Sequence, residues 1–230
     1  MYRTHGLAGV AVIAAVTAQN SRRVLELQSL PARFVRRQLE AVWEQVEPKA
    51  VCIGLLPDAA AMRAVGSFLR GLARRPAIVI DPVIKSSSGH VFLGEREVRE
   101  LRRLLPLATL VTPNVHEAAT LASQPVTTLS QAESAGRKLA KFGCAVLVTG
   151  GHLPNKTCID ILVHRQGVHR YAGSRINRTM RGSGGILAAA IAASLARDVS
   201  LQRSIALGRA FVRRAFRRAV PLGSGLPQNL

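Results

Sequence analysis

Short continuous apolar runs alternate with longer amphipathic segments along this chain. Apolar runs of this length are typical of strands that are buried on both faces of a parallel sheet. The alternation predicts an α/β fold in which helices cover both faces of the sheet. The predicted strands are 50–56, 77–81, 108–112 and 145–148, and the predicted helices are 32–45, 59–73, 95–105, 130–142, 186–197 and 201–219.

The chain has 230 residues, of which 48% are hydrophobic. This is enough apolar material for a sizeable core, and it excludes an intrinsically disordered chain. The length suits one domain, and the sequence contains neither a linker nor an internal repeat. We therefore expect residues 1–230 to form a single domain.

Two further segments need separate interpretation. Residues 159–171 form two runs on either side of Arg165-Gln166-Gly167, which predicts a β-hairpin. The apolar run 10–16 fits either a buried strand or the apolar centre of a secretory signal, and composition does not decide between them. No run reaches the about 18 apolar residues of a membrane span, so we expect no membrane partner.

The net charge is +19, and basic residues recur along the whole chain. This charge fits a nucleic-acid partner, an anionic substrate or a solvated basic surface. Aromatic residues make up only 4%, so a base-stacking surface is poorly supplied and we favour the solvated surface. In the last predicted helix Arg209, Arg213 and Arg217 share one face, which we interpret as the outer side of a surface helix.

The three cysteines, Cys52, Cys144 and Cys158, are widely spaced and form no CxxC motif. Their spacing therefore predicts neither a zinc site nor a disulfide framework. Each lies beside apolar residues, which favours buried thiols in a reducing, cytoplasmic compartment.

A glycine-rich turn, Gly182-Ser183-Gly184-Gly185, leads directly into an apolar helix. Such a turn exposes backbone N–H groups at the positive end of the helix dipole, which makes an anion site. Taken alone, the motif fits a purely structural turn equally well. In open α/β sheets ligands bind outside the carboxyl ends of the strands, so polar residues there, including Asp81, are also candidates.

Asn114 and Glu117 lie three residues apart at a predicted helix start and share a face. An amide and a carboxylate so placed can orient Mg²⁺ through water. They can equally form a helix cap, with Asn114 as the N-cap and Glu117 as its N3 partner. Taken alone, this pair favours the cap.

Together these segments resemble the hydroxymethylpyrimidine and phosphomethylpyrimidine kinases of thiamine biosynthesis, in the ribokinase-like superfamily. The resemblance implies a three-layer α/β/α domain with a mainly parallel central sheet, and it favours a strand over a signal at the amino terminus. The segments are Gln19-Asn20-Ser21, Ile53-Gly54-Leu55-Leu56, Asp81-Pro82-Val83-Ile84, Ser88-Gly89, Thr112-Pro113-Asn114-Val115-His116-Glu117, Val148-Thr149-Gly150-Gly151-His152, Gly182-Ser183-Gly184 and the tail Gly223-Ser224-Gly225-Leu226-Pro227.

The resemblance also implies an activity and its residues. The chain would use ATP and Mg²⁺ to phosphorylate 4-amino-5-hydroxymethyl-2-methylpyrimidine and then its monophosphate, in the cytoplasm and as a homodimer. The implied roles are an anion hole at Gly182, Ser183, Gly184 and Gly185, a hydrogen bond to the pyrimidine from Gln19, apolar walls at Leu55 and Val83, and Mg²⁺ and phosphate binding at Asn114 and Glu117, with Glu117 acting on the metal through water.

The chain departs from the family pattern at three places. The family opens with a strand and a Gly-x-Asp-x-Ser-Gly-Gly loop, and this chain starts after both. We therefore expect either that the true start lies upstream or that the domain is truncated and lacks the first strand. Gly185 stands where the family has a cysteine base, and Thr149 stands where it often has lysine. Arg178 or Arg181 could supply the missing charge near ATP.

These departures leave three hypotheses. The chain is an active or impaired pyrimidine kinase, or it is an inactive relative retained to bind a nucleotide or pyrimidine. The third hypothesis, a basic nucleic-acid-binding protein, depends on the net charge and on the arginines of the last helix.

Overall fold

A computed structural model of the protein describes residues 6–20, 22–154, 157–176 and 180–220. The tail motif 223–227, Ser21 and Arg178 lie outside the described residues. The strands are β1 Ala15–Gln19, β2 Val24–Ser29, β3 Ala50–Ile53, β4 Ala77–Ile80, β5 Leu110–Val111, β6 Ala145–Val148, β7 Thr157–His164 and β8 Gly167–Ser174. The helices are α1 Ala32–Gln45, α2 Ala59–Arg70, α3 Glu95–Leu104, α4 Val115–Ala122, α5 Leu129–Ala140, α6 Ser183–Leu195 and α7 Leu201–Arg218.

Six strands form the central sheet in the order β3-β4-β5-β6-β7-β8. Strands β3 to β6 are parallel to one another, and β7 and β8 continue the sheet in antiparallel pairing. The four predicted apolar runs are the four parallel strands, and the predicted hairpin is β7–β8. The sheet is therefore mixed but mainly parallel.

Alternate residues of the strands enter two separate cores. Ile78 and Ile80 of β4 pack into the core formed with α1 to α5, whereas Val79 between them packs into the core formed with α6 and α7. This period of two is what a strand covered on both faces requires. The domain thus has the three layers that we expected, helices on either side of one sheet.

The predicted amino-terminal strand is wrong in position and in burial. Strand β1 begins at Ala15 and pairs with β2 in a separate two-stranded sheet, and Val16 on it is 53% exposed. The Asn20 side chain sets the turn, because its Oδ1 atom accepts bonds from the backbone N–H groups of Arg22 and Arg23 at 2.9 and 3.0 Å. This local turn reverses the chain, so that β1 pairs with β2.

The helix predicted from Ser130 also begins differently. Thr128 is the N-cap of α5. Its side-chain oxygen accepts a bond from the backbone N–H of Gln131, and the Gln131 side-chain oxygen accepts one from the backbone N–H of Thr128. This reciprocal pair satisfies two helix donors at once. Within the described part of the chain, no helix is both long and apolar enough to span a bilayer.

Gly150 follows β6 where the chain passes close to β7. A Cβ atom on Gly150 would lie 2.0 Å from the backbone oxygen of Ile159, whereas a Cβ atom on the neighbouring Gly151 would meet nothing within 4 Å. We therefore expect Gly150→Ala to lower the free energy of unfolding by about 1–3 kcal/mol. Urea denaturation would measure the loss, and Gly151→Ala is the matched control. Equal midpoints for the two variants would contradict the packing described here.

Candidate active site

A cavity of about 1580 Å³ opens beside the carboxyl ends of the parallel strands. Ten of the predicted site residues line it, so the structure brings together residues that are far apart in the sequence. The residues are Gln19, Leu55, Val83, Asn114, Glu117, Arg181, Gly182, Ser183, Gly184 and Gly185.

Asn114 and Glu117 form the helix cap that their spacing favoured. The Asn114 Oδ1 atom accepts bonds from the N–H groups of His116 and Glu117, and Glu117 Oε2 accepts a bond from the Asn114 N–H at 2.9 Å. Glu117 is buried, and burial raises the pKa of its carboxyl group to about 8. The cap thus holds a poorly solvated carboxyl group at the cavity wall.

The glycine-rich turn is the start of α6. Gly182 is the N-cap with φ 75°, a left-handed conformation that glycine adopts at little cost. Its carbonyl accepts the N–H of Ile186 at 3.0 Å. The N–H groups of Ser183, Gly184 and Gly185 precede the first helical hydrogen bond, so they have no carbonyl partner within the helix. They lie at the positive end of the helix dipole and are suited to an anion.

Asp81 follows β4 and faces this turn. A Cβ atom on Gly184 would lie 3.5 Å from each Asp81 carboxylate oxygen, and one on Gly185 would lie 3.6 Å from Oδ2. Asp81 is only 7% exposed, and burial raises the pKa of its carboxyl group to about 6. The sequence marked Asp81 as a strand-end residue but did not connect it with Gly185, because only the tertiary fold brings the two together.

Arg181 joins the glycine turn to β1. Its guanidinium donates to the Gln19 side-chain oxygen at 2.8 Å and also to the backbone oxygen of Asn20. The cation therefore lies on the cavity wall between Gln19 and Gly182. Its partners are neutral, so its positive charge is not cancelled by these bonds.

The interpretation of α7 as having an outward basic face is wrong for two of its arginines. Arg209 pairs with Asp160 of β7 at 2.7 Å, and its side chain is only 15% exposed. Arg213 donates to the backbone oxygen of Ser174 on β8 at 2.8 Å. Both arginines line the cavity, so α7 adds positive charge to the site. The pairing of Arg209 on α7 with Asp160 on β7 joins distant parts of the chain, so local sequence could not predict it.

The comparisons with known proteins agree in family and fold. The family model described as phosphomethylpyrimidine kinase matches residues 1–228. A hydroxymethylpyrimidine/phosphomethylpyrimidine kinase of Aquifex aeolicus is 32% identical over 227 residues, which are 97% of this chain and 89% of that protein. The enzyme of the same name from Rhizobium meliloti is 36% identical over 225 residues, which are 96% of this chain and 84% of that protein.

Solved structures show the same architecture. The crystal structure of phosphomethylpyrimidine kinase from Clostridium difficile has a TM-score of 0.82 and 28% identity, and the match covers 93% of this chain and 89% of that one. An ADP complex of Bacillus subtilis pyridoxal kinase has a TM-score of 0.90 at 22% identity, covering 99% of this chain and 88% of that one. At that identity the second match shows the fold alone.

The raised pKa of Glu117 predicts a pH-dependent stability. Burial moves this pKa from 4.5 to about 8, so the stability from the protonated folded form is fully present below about pH 4.5 and is lost as the pH rises through about 8. Glu117→Gln keeps the capping box but removes the ionisation. We expect the variant to melt at a higher temperature than the unsubstituted protein at pH 8, and the two to differ least at pH 5.

Thermal melts in metal-free buffer would measure this difference. Glu95→Gln is the matched control, since the Glu95 side chain is 95% exposed in the first turn of α3. A melting temperature of Glu117→Gln at pH 8 that equals or falls below that of the unsubstituted protein would contradict the burial argument.

Proposed function

The chain belongs to the phosphomethylpyrimidine kinase family, and we propose that it transfers the γ-phosphoryl group of ATP to 4-amino-5-hydroxymethyl-2-methylpyrimidine and then to its monophosphate. The observation that carries this proposal is the convergence of the predicted substrate, phosphate and anion-hole residues on one cavity. A volume of about 1580 Å³ exceeds the roughly 300–1,000 Å³ usual for one small ligand, so a nucleotide and a pyrimidine fit side by side.

The pyrimidine would bind between Leu55 and Val83, with Gln19 at its polar edge. Leu55 and Val83 offer apolar surface to the ring faces. The Arg181 guanidinium donates to the Gln19 side-chain oxygen, which fixes the orientation of the amide. The NH₂ group of Gln19 is then left to donate a hydrogen bond to a ring nitrogen of the pyrimidine. Arg181 thereby couples the pyrimidine end of the cavity to the glycine turn.

The start of α6 would bind the phosphoryl group in transfer. Charge in phosphoryl transfer spreads over the equatorial oxygens, so catalysis depends on positioning and charge stabilisation. The free N–H groups of Ser183, Gly184 and Gly185 supply fixed dipoles for that charge. Arg213, whose bonds go to neutral Ser174 atoms, adds positive charge to the same cavity, whereas the charge of Arg209 is offset by Asp160.

Mg²⁺ fits the donors of this site. Among the described residues there is no cluster of three or more His, Cys, Asp or Glu side chains that could hold a metal, but Mg²⁺ commonly keeps several waters and uses only one or two carboxylates with the nucleotide phosphates. Glu117, with Asn114 beside it, would hold the ion through water. When bound, Mg²⁺ would neutralise negative charge on the phosphates of the nucleotide.

The structure bears differently on the alternatives. The nucleic-acid hypothesis loses part of its support, because Arg209 and Arg213, two arginines of the last helix, bind the β7–β8 hairpin. The inactive-relative hypothesis depended on the side chain missing at Gly185, and the Asp81 carboxylate lies beside that position. The homodimer and the cytoplasmic location stay predictions.

Product analysis would test the proposed function. The purified chain, with ATP and Mg²⁺, should convert the hydroxymethylpyrimidine into the monophosphate and then the diphosphate, both resolved by mass spectrometry. Pyridoxal is the matched alternative acceptor, since pyridoxal kinase shares the fold. A kcat/KM that favours pyridoxal, or no ADP formation with the pyrimidine, would contradict the proposal.

A second test concerns Arg181. We expect Arg181→Ala to weaken ATP binding, measured by calorimetry, because a cation at the cavity wall is lost. Arg181→Lys is the matched variant, since lysine keeps the charge but lacks the forked geometry that reaches Gln19 and Asn20, and it should bind ATP more tightly than Arg181→Ala. Unchanged ATP affinity in Arg181→Ala would show that this charge does not serve the nucleotide.

A further inference from the structure

The Asp81 carboxylate is buried without a partner. Asp81 is 7% exposed, and within the described residues no hydrogen bond or ion pair reaches its carboxylate oxygens. Ionised carboxylates in folded proteins are normally paired or hydrogen-bonded, because burial of an uncompensated charge is costly. A buried carboxylate without a partner at a cavity wall therefore indicates that a bound ligand supplies its hydrogen-bond partner.

The glycine turn leaves this carboxylate open to the cavity. Within 4 Å of the point where Gly185 would carry a Cβ atom, the structure places Asp81 Oδ2 at 3.6 Å and, apart from chain neighbours and the backbone of α6, nothing else among the described residues. Gly184 faces the same carboxylate at 3.5 Å. A side chain at either position would contact the carboxylate. Two successive glycines keep that space free next to the N–H groups that would bind the phosphoryl group.

The other carboxylates of the cavity are already engaged. Asp160 accepts the guanidinium N–H of Arg209 at 2.7 Å and the backbone N–H of Gly150 at 2.9 Å. Glu117 accepts the N–H of Asn114 in the capping box. Asp81 differs from both because its oxygens have no such donor, so they are free to accept a proton from a substrate.

We propose that Asp81 is the general base for phosphoryl transfer, taking the place of the side chain that Gly185 lacks. This inference rests on the proposed function. The substrate hydroxyl gives its proton to an Asp81 carboxylate oxygen while its own oxygen forms the bond to the γ-phosphorus of ATP. The bond from that phosphorus to the β–γ bridging oxygen breaks, ADP leaves with the electron pair, and Asp81 then releases the proton to water.

The environment of Asp81 supports this role. Burial raises the pKa of its carboxyl group to about 6, and a base is most effective when its pKa lies near the working pH. The titratable groups that interact with it are Cys52 on β3 and Glu117 on α4. Near pH 7 the carboxylate is ionised and more basic than an ordinary aspartate.

The first experiment compares Asp81→Asn with the unsubstituted protein. We expect kcat to fall by about 10²–10⁴-fold, with calorimetric affinity for the pyrimidine and the Mg²⁺ concentration for half-maximal rate unchanged. Asp198→Asn is the matched control: it makes the same change on a side chain that is 87% exposed, at a left-handed position that asparagine tolerates. Circular dichroism melts would verify that both variants fold.

The second experiment returns a base to the neighbouring position. In the double variant D81N/G185C, assayed at pH 8.5 where about half of an ordinary thiol is ionised, we expect kcat to exceed that of D81N. A thiolate is a poor Mg²⁺ ligand, so this recovery would distinguish a lost base from a lost metal ligand.

Three results would overturn the inference. They are an unchanged kcat in D81N, a loss that higher Mg²⁺ restores, and a double variant no faster than D81N. An unsubstituted protein that does not phosphorylate the pyrimidine would instead contradict the proposed function, and the inference would fall with it.

Discussion

The parallel register of β3 to β6 is the constraint on which the site depends. The backbone hydrogen bonds continue past the strand ends: the Asp81 N–H donates to Ile53, the Thr112 N–H to Ile80 and the Thr149 N–H to Pro113. Each bond fixes the first residues of a loop against the neighbouring strand. The parallel strands thus deliver their loops to one edge of the sheet, where ligands bind in open α/β folds, and α6 begins at the same edge.

Two carboxyl groups at this edge are held in an environment that disfavours their charge. Burial raises the pKa of both Asp81 and Glu117, and the nearby Asp81 carboxylate raises the pKa of Glu117 further. Such an arrangement lowers the stability of the free protein at neutral pH and is typical of a site that a ligand completes. The structure separates the two by role: Glu117 caps a helix while it faces the cavity, whereas Asp81 makes no hydrogen bond within the described chain.

Local patterns in the sequence predicted most of the fold. The apolar runs predicted β3 to β6 because strands buried on both faces need continuous apolar residues, and the spacing of Asn114 and Glu117 predicted a cap that is purely local. The errors arose where distant partners decide the outcome. The strand expected at 10–16 lies instead at Ala15–Gln19, where it pairs with β2. Arg209 points inward and binds Asp160. Asp81 lies beside Gly185 only because α6 packs on β4.

A crystal structure of the chain with the hydroxymethylpyrimidine and a non-hydrolysable ATP analogue would show whether Asp81 is placed to act as the base. We expect the substrate hydroxyl oxygen to lie about 2.6–3.2 Å from an Asp81 carboxylate oxygen, or one water away, with the γ-phosphate at the N–H groups of Ser183, Gly184 and Gly185. A hydroxyl that faces away from Asp81, or a Mg²⁺ ion bound directly by that carboxylate, would contradict this role.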